Sequence, residues 1–232
     1  MRLLPVIALP ALTVVALSGC AFAPRGPVVS EERDIDAATM VELDTSGELT
    51  ISEGEPSLVV HAPQAVLDRL TSTVTGGTLV LGVTPGTPGI LLGRISYELT
   101  LPSLEGLEIN GSGDVRSDVP GDSLDIDVNG LGDLVISDID TTTLSIDISG
   151  SADVRLDGRT DDFALSIDGS ADVRSDDLDA KRVTIDLDGS GDLVVAASST
   201  LDVSISGAGS VEYVGRPEVT QDISGSGSVE RR

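Results

Sequence analysis

The chain has 232 residues and a formal net charge of −25, with one lysine, thirteen arginines and a large excess of acids. Nucleic acid is bound by basic surfaces, so this composition excludes it as a partner. With two tyrosines, two phenylalanines and no tryptophan, the chain also has almost no aromatic side chains on which sugars or bases could stack.

Residues 1–20 have the pattern of an export signal: Arg2, an apolar stretch to Leu17, and then Ser18-Gly19-Cys20. The end of this segment resembles the lipobox of bacterial lipoproteins, which implies that Cys20 is lipidated and becomes the mature N-terminus. A membrane-spanning helix would need about 20 apolar residues, and prolines interrupt this shorter run. Ordinary cleavage after Ala23 is the other alternative, but a proline would follow the cut.

Cys20 is the only cysteine, so lipidation leaves no thiol for disulfides or metal. Residues 21–33, which contain Pro24 and Pro27, are predicted to be a tether between the anchor and a single domain over 34–232. We therefore expect an extracytoplasmic protein that is anchored by lipid to the cell membrane.

The first part of this domain is predicted to be β but irregular. Residues 41–51 resemble a degenerate version of the later repeat, and further strands are predicted around 58–60 and 79–81. Residues 63–70 could form one helical turn, and 85–89 are predicted to form a loop.

From Gly111 onward one phrase recurs seven times: an apolar residue, a polar one, Gly, two small residues, an acid or Ser, and Val or Leu. Ile109–Val115 and Leu187–Leu193 are two of the copies. The leading glycines are 19, 20, 19, 20, 18 and 18 residues apart, a regularity that predicts stacked structural units. These predicted turn glycines are Gly111, Gly130, Gly150, Gly169, Gly189, Gly207 and Gly225.

Before each glycine, apolar and polar residues alternate, as in Leu144, Ile146 and Ile148, which is typical of a strand with one buried face. A coil of this length buries its apolar row only when another coil lies above or below it. We therefore predict an all-β fold, a single-stranded parallel β-solenoid (β-helix) with coils of about 18–20 residues and a right-handed winding. Seven coils would extend roughly 34 Å. An all-β sandwich is the alternative.

The run Tyr97–Val115, the repeated Gly-Ser-Gly/Ala-Asp-Val turns and Gly77–Leu81 resemble the head GIN domain family, whose members are also called auto-transporter adhesins. The resemblance covers roughly residues 35–230. It implies an extracytoplasmic β-solenoid on bacterial envelope proteins and an adhesin function, and it brings no catalytic or binding residues. The chain departs from the pattern at Ser210 and Ser228, which replace the acid in the last two coils.

One acid per coil occupies the same corner, and in-register stacking would place these carboxylates about 5 Å apart. Each neighbouring pair then repels by about 0.8 kcal/mol in water. Solvation, hydrogen bonds to corner N–H groups or a cation would relieve this repulsion. Arg116, Arg155 and Arg174 each follow an acid by two residues and are predicted to supply part of the relief. The acids are Asp114, Asp133, Asp153, Asp172 and Asp192.

Calcium is the specific hypothesis for this ladder, because hard cations bind several carboxylate and carbonyl oxygens. The alternative is a row of solvated, turn-bonding aspartates. The known calcium-binding β-roll repeat is a nonapeptide, half as long as this one and with a second glycine pair that is absent here. No other cofactor is predicted.

The sequence predicts no enzyme. The only histidine, His61, is expected at a surface or an edge strand, and the pairs Asp161-Asp162 and Asp176-Asp177 are expected to be solvated charges rather than an acid–base pair. A nucleophile elbow and zinc-ligand spacings are missing from the sequence. A polysaccharide-acting β-helix enzyme is a third and remote alternative.

The function predicted from the sequence is adhesion to, or binding of, an envelope protein or a cell-surface partner through an acidic solenoid surface. A calcium-binding structural module of the envelope is the alternative. The final coil, residues 225–232, shows no recognisable cap, so its strand edges are expected to be open to end-to-end pairing.

Overall fold

The computed structural model describes residues 26–87, 93–119 and 121–232. The predicted signal segment, Cys20 and the first part of the predicted tether lie outside these residues. Among the described residues, none of the helices is long and apolar enough to cross a membrane. The elements in chain order are β1 (Val28–Arg33), β2 (Met40–Leu43), β3 (Glu48–Glu53), β4 (Ser57–Pro63), α1 (Gln64–Leu67), β5 (Leu70–Thr75), β6 (Thr78–Val83), β7 (Ser96–Leu101), β8 (Gly106–Ile109), β9 (Val115–Ser117), β10 (Ser123–Val128), β11 (Leu131–Ile148), β12 (Ser151–Ile167), β13 (Ser170–Leu187), β14 (Ser190–Ile205), β15 (Ala208–Gly215), β16 (Glu218–Ile223) and β17 (Ser228–Arg231).

Strands β8 to β17 stack in parallel, each against the element one coil further along the chain. The long strands β11 to β14 run continuously through three faces of the solenoid. The result is a parallel β-solenoid of about seven turns, which confirms the predicted fold class. We call these faces the first (123–128, 143–148, 162–167, 182–187, 200–205 and 218–223), the second (115–117, 134–136, 154–156, 173–175, 193–195, 211–213 and 229–231) and the third (139–141, 158–160, 178–180, 196–197 and 214–215).

The core consists of apolar columns that run along the solenoid axis. On the first face, Leu144 pairs with Phe163, and Phe163 with Val183, and all three side chains are buried. The residues between them in sequence point outward because side chains alternate along a strand. The period-two pattern of the sequence thus becomes one continuous core that no single coil could form.

The irregular first part contributes one more coil. Strands β2 and β3 pair in parallel with β8 and β9, so residues 41–51 stack under the repeat as predicted. The predicted strands around 58–60 and 79–81 are β4 and β6, and the predicted helical turn is α1.

Antiparallel strands, which were not predicted, close this end of the solenoid. Strand β4 pairs antiparallel with β7, β5 with β6, and β1 with β4. Strand β1 covers residues 28–33, which are predicted from the sequence to be part of the tether, so the folded domain begins earlier than expected. Its alternating residues Val29, Glu31 and Arg33 are only half-buried, and such a charged pattern does not resemble an amphipathic strand.

Arg33 holds this N-terminal cap together. Its guanidinium donates to the carbonyl oxygens of Leu67 and Leu70, both at 3.0 Å, and to Ser72 Oγ at 3.3 Å. A contact of 2.7 Å with Glu31 neutralises the charge. An inward-pointing charge on an edge strand also opposes edge-to-edge pairing with other chains.

We expect Arg33→Ala to lower the free energy of unfolding by at least about 2 kcal/mol, because it leaves two carbonyl groups without their charged donor. Arg116→Ala is the matched control. Arg116 pairs with Glu48 at 2.7 Å, but both side chains are about half exposed, so the loss should be below about 1 kcal/mol. Urea unfolding of both variants measures the difference, and equal losses would contradict the proposed clamp.

The opposite end carries polar residues at core positions. In the register of the stack, Gln221 follows the buried Val203, and Arg231 follows Tyr213. Polar residues are common in the terminal repeats of solenoids, which face water at the open end. Among the described strands, however, β16 pairs only with β14 and β17 only with β15, and the inward positions Val219, Ile223 and Val229 remain apolar. The expectation that the final coil has no cap therefore stays a prediction.

Candidate functional site

The corner glycines stack directly on one another. The backbones are so close that a Cβ atom built on Gly130 would lie 1.8 Å from the carbonyl oxygen of Gly111. A Cβ on Gly150 would lie 2.0 Å from the oxygen of Gly130. Glycine is needed at these corners because of the close backbone approach between coils.

The aspartate ladder lies beside these corners and is exposed to solvent. The backbone N–H of Asp133 donates to Asp114 Oδ1 at 3.2 Å, and that of Asp192 donates to Asp172 Oδ1 at 3.1 Å. Ser210, which replaces the acid in its coil, donates its hydroxyl to Asp192 Oδ1 at 2.5 Å. Carboxylates of the ladder therefore accept hydrogen bonds from the next coil.

The arginines that follow these acids do not pair with them. Within the described residues, Arg116 binds Glu48, and no ion pair joins Arg155 or Arg174 to the aspartate two residues earlier. Side chains two residues apart on a strand lie on the same face but roughly 6.6 Å apart. A spacing of two residues on one strand is therefore not sufficient to bring these arginines into contact with the preceding acids.

In the part of the chain that the structure describes, no group of three or more Asp, Glu, His or Cys side chains is placed to hold a metal ion.

The calcium hypothesis stays a prediction, and thermal melts test it. Because carboxylates of the ladder already accept bonds from the next coil, we expect the same Tm in millimolar calcium as in EDTA. We also expect Asp133→Asn with Asp192→Asn to raise Tm slightly, since both changes remove charge repulsion and the amide oxygen at position 192 can still accept from Ser210. A rise specific to calcium, lost in the double variant, would contradict this.

A second row of acids lies on the first face. The side-chain amide of Asn110 donates to Asp44 Oδ1 at 3.0 Å and to Glu108 Oε1 at 2.9 Å. Partial burial, together with the neighbouring charges of Asp44 and Glu108, raises the pKa of Glu42. Burial and the surrounding acids likewise raise the pKa of Asp127.

These raised values predict a pH dependence of stability. A carboxyl whose pKa is higher in the folded than in the unfolded state binds its proton more tightly when folded. It therefore contributes stability at low pH that is lost as the pH rises through the folded pKa. We expect Asp127→Asn to stabilise the protein at neutral pH and to have little effect well below the ordinary carboxyl pKa. Urea unfolding at both pH values measures this, and a gain at low pH only would contradict it.

The other predicted ionisable residues form local pairs. His61 is half-buried on β4, with Nδ1 2.9 Å from Ser30 Oγ and Nε2 3.1 Å from Glu98 Oε1. Asp161 contacts Lys181 at 2.5 Å, and Asp162 forms a two-point ion pair with Arg182. Each member of this aspartate pair therefore has its own cation.

The third face carries a groove of about 670 Å³, a size in the range of small-molecule sites. Its floor is uncharged and includes Ala180, Ala196, Ala197 and Val214, the last of which is 39% exposed. Charged side chains of both signs surround the floor: Asp140, Arg159, Asp161, Asp176, Asp179, Lys181 and Arg216. We call this feature the third-face groove.

The groove exists because the coils become shorter. In the register of β13 against β14, Ser175 pairs with Val195 and Ala180 with Ala197, so the corner of β14 lacks three residues that β13 has. The longer corner of β13, which contains Asp176 and Asp179, forms one wall, and the shortened coil forms the floor. This site was not predicted from the sequence, although the fall in repeat length from 20 to 18 residues indicates where the coils shorten.

With this geometry in place, comparisons with known proteins identify the family. The family model described as "Putative auto-transporter adhesin, head GIN domain" matches residues 39–217, and the chain belongs to this family. No functionally curated protein matches the chain. The family points to adhesion or binding outside the cell rather than to catalysis.

Solved structures share the fold. A "putative adhesin" from Bacteroides fragilis has a TM-score of 0.86 at 23% identity, over 90% of this chain and 99% of its own. A "putative lipid binding protein" from Parabacteroides distasonis has a TM-score of 0.70 at 22% identity, over 90% and 98%. A "putative adhesin" from the same organism has a TM-score of 0.65 at 18% identity, over 90% and 98%. At these identities the likeness shows the fold alone.

Proposed function

We propose that this protein is a non-catalytic binding module of the bacterial cell envelope. It is exported, anchored to the membrane by lipid on Cys20, and presents its solenoid to a protein or surface component of the envelope or of a neighbouring cell.

Membership of the adhesin family over residues 39–217 is the observation that carries this proposal. The N-terminal end of the solenoid supports it, because the largely buried charge of Arg33 on the edge strand β1 opposes polymerisation. With this end covered, the lateral faces offer the larger binding surface. The net charge of −25 adds long-range repulsion that keeps copies apart.

Binding of isolated envelopes to the immobilised protein tests the proposal. We expect saturable binding that free protein in solution competes away. An unrelated protein of similar size and net charge is the control for non-specific electrostatic attraction. Binding that does not saturate, or that equals the control, would overturn the proposed function.

A further inference from the structure

Two charged side chains of the third-face groove, Asp179 and Arg216, have no ion-pair partner among the described residues. Arg159 forms a two-point ion pair with Asp140, with Nε 2.8 Å from Oδ1, although Asp179 is its neighbour on the other side. Within the described residues, Asp179 takes part in no ion pair and no side-chain hydrogen bond, and the same holds for Arg216.

These two side chains lie at opposite sides of the floor. Asp179 precedes Ala180, which pairs with Ala197, and Ala197 pairs with Gly215, which precedes Arg216. The two charges are therefore two coils apart, or about 10 Å along the solenoid axis. Between them lies the uncharged floor formed by the shortened coil.

The chemistry of the lining selects among ligand classes. Three of its four aspartates are paired with arginine or lysine, so the unpaired charges are one acid and one base rather than the cluster of cations that a phosphate needs. Its lining contains no aromatic ring on which a sugar could stack. A zwitterion with its charges about 10 Å apart fits, because its ammonium group would pair with Asp179 and its carboxylate with Arg216. An extended tripeptide with free termini spans roughly 10 Å.

We propose that the third-face groove binds short peptides with free termini, with the N-terminal ammonium at Asp179 and the C-terminal carboxylate at Arg216. The backbone lies over Ala196 and Val214, where small side chains can be accommodated. This inference rests on the proposed binding function and assigns its ligand class and site.

Trialanine is the probe, in four forms: free, N-acetylated, C-amidated and blocked at both ends. Calorimetric titration of the full protein, purified as cells produce it, should show the free form binding tightest. Each blocked terminus should weaken binding by up to about fivefold, the range of an exposed ion pair.

Two variants assign the termini. Arg216→Gln should remove the difference between free and C-amidated trialanine and keep the difference between free and N-acetylated trialanine. Asp179→Asn should do the reverse. Two exposed charges away from the groove are the matched controls, Arg174→Gln on the second face and Asp153→Asn in the aspartate ladder, and both should leave all four affinities unchanged.

Three results would overturn the proposal: equal binding of the four forms, no binding at millimolar trialanine, or control variants that act like the groove variants. Envelope binding that persists in these cases would leave the proposed function intact and remove only its assignment to the groove. Selective trialanine binding without envelope binding would instead confirm the groove and overturn adhesion.

Discussion

Gly130→Ala is expected to lower the free energy of unfolding by at least about 3 kcal/mol. This is a large fraction of the total stability of an ordinary domain. The added methyl group would lie 1.8 Å from the carbonyl oxygen of Gly111, so the two coils must move apart. Because the coils share one hydrogen-bonded sheet, this movement also strains the pairing of Leu131 with Ser151. The conflict is with backbone, which cannot rotate away as a side chain can.

Gly54→Ala is the matched control. A Cβ there would meet Thr100 Cβ at 3.4 Å, an ordinary contact, so the effect should stay within about 0.5 kcal/mol. Urea unfolding followed by circular dichroism measures both variants. If Gly130→Ala costs no more than Gly54→Ala, the coils do not approach as closely as the structure has them.

Cys20→Ser is expected to move the protein from the membrane fraction to the soluble fraction. A single acyl chain gives only marginal binding, whereas two or more anchor stably, so loss of the attachment atom should change the distribution almost completely. Ser18→Ala is the control, because it changes a neighbouring side chain and keeps the cysteine thiol.

Fractionation of cells that produce each variant, followed by immunoblotting, gives the result. Protein that stays in the membrane fraction with Cys20→Ser would contradict the lipid anchor and indicate retention by another segment. Metabolic labelling with a fatty acid supplies an independent check, since the label should appear on the unchanged chain and on Ser18→Ala but not on Cys20→Ser.

The parallel stack could be predicted because the sequence contains its register. Each coil repeats a glycine at the same corner and an apolar row before it, so the columns that contain Leu144 and Phe163 follow from aligning the repeats. The first coil, formed by β2 and β3, could be predicted from the same pattern in weaker form.

The N-terminal cap could not be predicted in the same way. It depends on residues such as Arg33, whose largely buried charge contradicts the apolar pattern that identifies strands. Antiparallel pairing of β4 with β7 has no counterpart in the repeat. The end of a solenoid must differ from its inner coils, because it has a neighbouring coil on one side only. The repeat pattern of the inner coils therefore does not predict the strands at the end.

The third-face groove could be predicted only in part. The change of period marks where the coils shorten, but only the three-dimensional register shows that the missing residues come from the corner after Ser175. The ion pair of Asp140 with Arg159 joins residues 19 positions apart, one coil on. Such pairs can be predicted once the coil length is known. That Asp179 and Arg216 have no ion-pair partner among the described residues can be seen only when the side chains are placed in three dimensions.

Attachment of cells to envelope-coated surfaces tests whether the solenoid is a binding module presented outside the membrane. Three strains are compared: one producing the unchanged chain, one lacking it and one producing Cys20→Ser. We predict that attachment falls to the same low level in the last two, because binding requires both the solenoid and its anchor. Equal attachment in all three strains would contradict the claim.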